Sequence, residues 1–519
     1  MSTIKSKYIF SESLAQHKME AIKSKIQRYR PEEFISHCLN INNKKFLDKN
    51  DMLKHKPWIV NLAIKWSAAA MAKKREFRSI NARQTDELLQ RVDETLDYIP
   101  YYLETKEGLD FVFRNYIFQQ GIYQHTDVLN SISRQAFIFN KLNKSHSHQQ
   151  RFFSMSGISI NDFLALSSAL IAMNLTTRYK ILKVDSFKIL FPSYSENKIA
   201  CFLDTISIKK EDLPYFAAKN IATSPLKEYF SLTPFLYKPY IKEKDNYLQV
   251  HPAITAKSMQ NFIYDFLRQE NPEAFMDKFG NVYESAIEEL IKNHQKTYIT
   301  EKEIEKIIPN DNKVDFIITN DEANIFIDAK GVEMSQKGIA TYKAGDISSA
   351  IKSSVLKAIT QSLTVNKHIH SGKLAGITPK EKSYIICVSF KDLLLGYGKM
   401  IYESFAKWEI DKIYKNFSQK EIIPYENIFC LAYEEFEYLL AACSKYNKEL
   451  YEVLDYAIER NREPKTASFM FGLHLKAFFE KLVPSEIVYQ EGVKVLGELA
   501  SNIPELKGSL GRIRPHQEL

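Results

Sequence analysis

Glycine and proline are scarce in this chain, 16 and 17 of 519 residues, roughly half their usual combined share. That excludes collagen-like, linker-rich and all-β repeat designs and favours many helices with few long loops. Cysteine is scarcer still: Cys38, Cys201, Cys387, Cys430 and Cys443 are odd in number, scattered and never arranged as Cys-x-x-Cys. Neither a disulfide framework nor a cysteine zinc site fits that spacing. Long hydrophobic runs are missing as well. The longest, from Phe163 to Met173, is broken by two serines and falls well short of the ~18 residues of a membrane span. The first residues carry two lysines but no apolar core or small-residue cleavage site, so they do not read as a secretory signal. A cytoplasmic protein with no membrane association is the expectation. No Gly-x-x-x-x-Gly-Lys-Ser/Thr occurs, which argues against an internal ATP motor.

What is present suits a large folded protein. Apolar residues make up 45% and charged residues 26%, close to globular averages, and the length implies several domains. Net charge is +8, and residues 1–150 alone hold 24 Lys and Arg against 16 Asp and Glu, so that part carries the whole surplus. Its apolar residues recur at three and four: Trp58, Ile59, Leu62, Ala63, Trp66, Ala69 and Ala70 after Pro57, then Leu88, Leu89, Val92, Leu96 and Ile99. Both series predict helices. The basic run Lys73-Lys-Arg75 with Arg78 ends the first of them, where a helix C-terminus favours positive charge without any nucleic acid.

Four regions follow: a basic helical domain, 1–150; a helical and mixed domain, 151–270; a domain of helices and strands, 271–435; and a C-terminal helical segment with a frayed tail, 436–519. In the second, Ser159-Ile-Asn-Asp162 resembles a capping box ahead of an apolar helix, and 186–191 with 198–203 reads as a β-hairpin joined by a long loop. In the third, the expected order is a helix to Asn293, a strand near Tyr298, a hairpin of 313–319 and 324–330, a helix over 346–366, and strands at 384–390 and 428–433.

The chemistry concentrates in Val314-Asp-Phe-Ile-Ile-Thr-Asn-Asp-Glu-Ala-Asn-Ile-Phe-Ile-Asp-Ala-Lys330. An antiparallel hairpin turning between Asp321 and Glu322 sets Asp315 directly opposite Asp328. Strand alternation then gathers Asp315, Ile317, Phe326, Asp328 and Lys330 on one face and leaves the other wholly apolar. Opposed residues have Cβ atoms only ~4.5–5.5 Å apart, and facing like charges destabilise a sheet. A divalent cation compensates such a pair well, because Mg²⁺ takes one or two carboxylates and completes its shell with water and phosphate oxygens. Spacing alone carries little weight, since Glu104-Thr-Lys106, Asp311-Asn-Lys313 and Glu463-Pro-Lys465 share it. Asp328-Ala-Lys330 differs in ending an apolar strand and in having Asp315 as its match.

A helix with a glutamate, a strand, a strand with Asp, a strand with Asp-x-Lys, a helix and a strand together resemble the PD-(D/E)xK nuclease superfamily over about residues 275–435. The resemblance implies an α/β nuclease core, α-β-β-β-α-β with a mixed sheet flanked by helices, embedded in a mainly α-helical multidomain chain. Gly280-Asn-Val-Tyr-Glu284 is similar to the start of the family's first helix, which makes Glu284 an outer metal ligand or a water-orienting carboxylate. Asp315 and Asp328 match the two acidic metal ligands, Lys330 the catalytic lysine, and Gln361 a glutamine that some branches carry on the next helix. Val314 stands where Pro is common, and Val365 leaves the Gln-x-x-x-Tyr signature incomplete.

The function so implied is a Mg²⁺-dependent endonuclease, with Mn²⁺ able to substitute, acting on DNA in preference to RNA, by analogy in prokaryotic restriction or anti-phage defence. A trigger or partner protein and a homo-oligomer are left open. The alternatives are an RNase of the same fold, or a nucleic-acid-binding or assembly protein with a vestigial nuclease fold, against which the intact Asp315, Asp328 and Lys330 count. His146-Ser-His148 and His368-Ile-His370 lack partners at a familiar metal spacing and read as polar loop or helix-end residues. Among 33 Phe and 29 Tyr, a few aromatics could stack on bases, and the sequence does not single them out.

Overall fold

The computed structural model describes residues 12–44, 56–72, 76–96, 108–124, 128–176, 180–222, 225–295, 297–374 and 376–501. Lys73-Lys-Arg75, Ile99, Glu104-Thr-Lys106, the first eight residues and the C-terminal tail lie outside them. The chain is mainly helical with two small mixed sheets, and it divides into two compact units, residues 1–270 with 491–519, and residues 271–490. Among the described residues no single helix is long and apolar enough to cross a membrane.

In the first unit, helix Pro57–Ala70 buries Ile59, Val60, Ala63, Ile64 and Trp66, and helix Ala82–Leu96 buries Leu88, Leu89, Val92 and Leu96. Helix Ile160–Thr176 opens as its sequence suggests, with the Asp162 N–H donating to Ser159 Oγ at 3.1 Å. The hairpin expected over 186–203 is not there. Residues Val184–Leu190 form 3₁₀ turns, and Glu196–Thr205 is a helix capped by Ser195 Oγ, which accepts from the Lys198 N–H. Ile199, Phe202 and Leu203 are buried at helical spacing, and a short unbroken apolar run reads equally well as strand or helix. The unit's sheet lies elsewhere, in β1 (Ile181–Leu182), β2 (Ser207–Lys209), β3 (Tyr240–Glu243) and β4 (Asn246–Gln249). β3 and β4 form a hairpin turning at Lys244-Asp245 with Lys244 at φ 54°. That turn lacks the Asn-Gly or Asp-Gly that marks such hairpins in a sequence.

The second unit starts with helix Pro272–His294, entered through Asn271, whose side chain accepts from the Ala274 N–H. A five-stranded sheet follows, in the order β5 (Ile299–Thr300), β6 (Phe316–Thr319), β7 (Ala323–Lys330), β8 (Lys382–Ser389), β9 (Ile428–Ala432). β5, β6 and β7 are antiparallel neighbours; β7, β8 and β9 run parallel. The helix expected over 346–366 is two, Ala344–Ala350 and Val355–His370, separated by a turn at 351–354. Six consecutive residues of β7, from Ala323 to Asp328, are buried, so both faces of the sheet are covered, as parallel neighbours require. Helices Pro272–His294 and Val355–His370 both pack on β7. The phenylalanine and isoleucine on the acidic face therefore belong to the core as much as those on the apolar face.

Candidate metal centre

The register fixes the centre. Phe316 pairs with Ile327 across β6 and β7, and continuing it by one residue sets Asp315 opposite Asp328, as the sequence implies. Asp315 Oδ2 accepts from the Ala329 N–H at 2.6 Å, and its carboxyl lies within hydrogen-bonding reach of Asp328. Asp328 is 0% exposed. Its Oδ1 takes Lys330 Nζ at 2.5 Å, while its Oδ2, buried, has no hydrogen-bond partner.

Gln361 is brought to the same place by helix Val355–His370. Its Nε2 donates to the Lys313 backbone carbonyl just upstream of Asp315, and its Oε1 accepts from Lys330 Nζ at 3.4 Å. With both ends of the amide engaged, the lysine head is held between Asp328 and Gln361.

Glu284 arrives from helix Pro272–His294, and the close approach of that helix depends on Gly331, the residue after Lys330. A Cβ there would lie 2.9 Å from the Phe279 ring and 3.5 Å from Tyr283 Cβ. Glu301, which the sequence reading passed over, completes the group. β5 pairs Thr300 with Phe316, so Glu301 follows opposite Asp315, and its N–H donates to the Asp315 carbonyl at 2.7 Å. Glu303 caps the Thr300 N–H at 2.8 Å; the Glu301 side chain takes no part in that cap. One carboxylate oxygen each from Glu284, Glu301 and Asp315 lies within 4.8 Å of the others, a spacing that can hold a metal ion. The Thr300-x-x-Glu303 capping signal could have located this turn, but a two-residue strand shows no alternation from which to infer its pairing.

Electrostatics agree with the geometry. Burial, then the charge of Asp328, pushes Asp315 up to about 8. Burial also raises Asp328, despite Lys330 beside it. Burial, Asp315 and Glu301 carry Glu284 to about 7, and burial and Asp315 raise Glu301. Burial alone would lower Lys330, but Asp328 and Asp315 outweigh it and hold the ammonium protonated. Glu284, Glu301 and Asp315 form the group that can hold an ion; Asp328, outside that group, is paired with Lys330. Isolated buried carboxylates avoid charge by binding protons; a cation would neutralise them instead. The donor set is all oxygen, which suits a hard divalent ion such as Mg²⁺, Mn²⁺ or Ca²⁺ and disfavours soft metals.

The histidine pairs stay outside this centre. His146 Nδ1 accepts from the His148 N–H and caps helix Ser147–Ser156, and His368 Nε2 meets Asp311 Oδ2 at 2.8 Å. Neither joins a group of three potential ligands among the described residues. No protein-family model, curated protein or solved structure matches this chain.

Proposed function

We propose that this chain is a divalent-cation-dependent nuclease of the PD-(D/E)xK type, using Mg²⁺ to hydrolyse phosphodiester bonds, with DNA as the favoured substrate. The observation that carries the reading is the juxtaposition of Asp315 and Asp328 across two strands, with Lys330 held by Asp328 and Gln361. The succession of helix Pro272–His294, strands β5, β6 and β7, helix Val355–His370 and strand β8, with short helices between them, supports the reading.

Asp315 and Asp328, with Glu284 and Glu301 beside Asp315, would hold the ion. When bound, Mg²⁺ supplies Lewis acidity toward a phosphoryl oxygen and acidifies water. Lys330 presents a fixed ammonium to the charge that develops on the phosphate during attack, and being already oriented it adds no reorganisation at that moment. Gln361 is a positioning residue, since it acts through Lys330. Glu284, poised near neutrality, suits a group that orients or deprotonates water.

The test is cleavage of labelled supercoiled, linear and single-stranded DNA, and of RNA, by the purified full chain with Mg²⁺ or EDTA. Mg²⁺-dependent cleavage of DNA that Asp328→Ala abolishes supports the reading. Cleavage of RNA alone would move the substrate class, and cleavage of neither would defeat it.

A further inference from the structure

We infer that Trp408 is a stacking platform for the bases of single-stranded nucleic acid; the inference rests on the nuclease reading and gives it a substrate class. Of the three tryptophans, Trp66 is buried, whereas Trp408 is 70% exposed. It is the second residue of helix Lys407–Tyr414 and forms, with Asp411, Lys412, Tyr414, Lys415 and Ile422, the wall of an open cavity of about 500 Å³.

The charge of that cavity is complementary to phosphate. Lys412 Nζ sits 5.4 Å from the centre of the Trp408 ring, and among the described residues neither Lys412 nor Lys415 makes an ion pair or a side-chain hydrogen bond. Asp411 is already engaged, by Lys407 Nζ at 2.9 Å and the Tyr402 hydroxyl at 2.6 Å. What faces solvent is an exposed indole with the Lys412 ammonium over its ring and the unpaired Lys415 side chain lining the same cavity. Proteins use this pairing to hold single strands, because every base has a π-face and every linkage a charge. A duplex keeps its base faces stacked inside and offers none to the ring.

The platform is also held rigidly. Tyr414 is tied through its hydroxyl to the Ile423 carbonyl at 2.8 Å, and Ala406, at φ −144°, breaks the π-helical turn Ile401–Ala406 so that a new helix starts at Lys407. π-Helical turns of this kind occur frequently at functional sites. Helix Lys407–Tyr414 packs on helix Val355–His370, which carries Gln361, and the Asn366 side chain clamps the loop beyond it by donating to the Glu421 carbonyl at 2.9 Å. Platform and proposed catalytic group therefore share one supporting helix.

The experiment titrates the full chain, in EDTA to prevent cleavage, with a short oligo(dT), an abasic oligonucleotide of equal length and a duplex, following tryptophan fluorescence and anisotropy. Oligo(dT) should quench emission and the abasic strand should not. Trp408→Ala should lose about tenfold or more in affinity for oligo(dT), with unchanged affinity for the abasic strand; Lys412→Ala with Lys415→Ala should weaken both and flatten the salt dependence. Wild-type affinity for oligo(dT) in Trp408→Ala, or tighter binding of duplex that Trp408→Ala also weakens, would overturn the inference. Mg²⁺-dependent cleavage separates the two proposals. Unaltered Trp408→Ala binding alongside cleavage lost in Asp328→Ala defeats only the platform, whereas lost binding without cleavage of any nucleic acid defeats only the nuclease reading.

Discussion

Replacing Asp315 by Asn should make the metal-free second unit more stable while removing its affinity for Mg²⁺. The side chain keeps its volume and its acceptor for the Ala329 N–H but loses a charge buried against Asp328. An acid whose folded pKa lies above its unfolded value binds more protons when folded, so its stability is fully present below the unfolded pKa and is lost as pH rises through the folded one. For Asp315 that window runs from its ordinary 3.8 to about 8. At pH 7 the loss is on the order of 4 kcal/mol, taking 1.36 kcal/mol per pH unit. Hydrogen exchange of the β7 amides in EDTA, corrected for intrinsic rates, measures it. Wild type should lose protection between pH 5 and 8, Asp315→Asn should lose less of it, since Glu284, Glu301 and Asp328 are raised there too, and Mg²⁺ should restore protection only in wild type. Mg²⁺ affinity should rise over the same window, because the ion displaces protons. An Asp315→Asn protein less stable than wild type at pH 8 in EDTA, or equally dependent on pH, would refute the argument.

Lys330→Met keeps both aspartates, so Mg²⁺ and substrate should still bind while single-turnover cleavage slows by about 10²–10³; undiminished cleavage would remove the lysine from catalysis. Gln361→Ala should slow cleavage by about tenfold with unchanged Mg²⁺ affinity by calorimetry, since it loosens only Lys330, and Gln361→Glu should not substitute for it because Lys313 offers a carbonyl acceptor. Glu301→Gln should weaken Mg²⁺ binding by about 10-fold or more if its carboxylate shares the ion with Glu284 and Asp315; calorimetry giving the wild-type constant would exclude it. Gly331→Ala forces a Cβ against Phe279 and should cost about 1–3 kcal/mol in urea denaturation, with Mg²⁺ affinity falling as Glu284 is displaced.

The centre was legible where the sequence is periodic. Apolar alternation around Asp315 and Asp328 fixed the hairpin register to the residue, whereas the contact of Gln361 with Lys330 comes from the third helix after β7, Val355–His370, and has no sequence period to announce it. Glu301 was hidden because its position depends on a strand of two residues, too short to show a period. Gly331 could not be valued without knowing which helix crosses it. In the first unit, Lys198 to Leu203 misled as a strand because both of its apolar spacings fit, and the true hairpin at Lys244-Asp245 turns without a glycine. Trp408 illustrates another limit: composition counts aromatics, but only burial separates the ring in solvent from those in the core.

The central claim is tested most directly by calorimetric titration of Mg²⁺ into wild type and Asp328→Ala, with DNA cleavage measured on the same samples. The account predicts that wild type binds the ion and cleaves DNA only in its presence, and that Asp328→Ala loses both together. Cleavage by Asp328→Ala, or a wild type that neither binds Mg²⁺ nor cleaves, would contradict it.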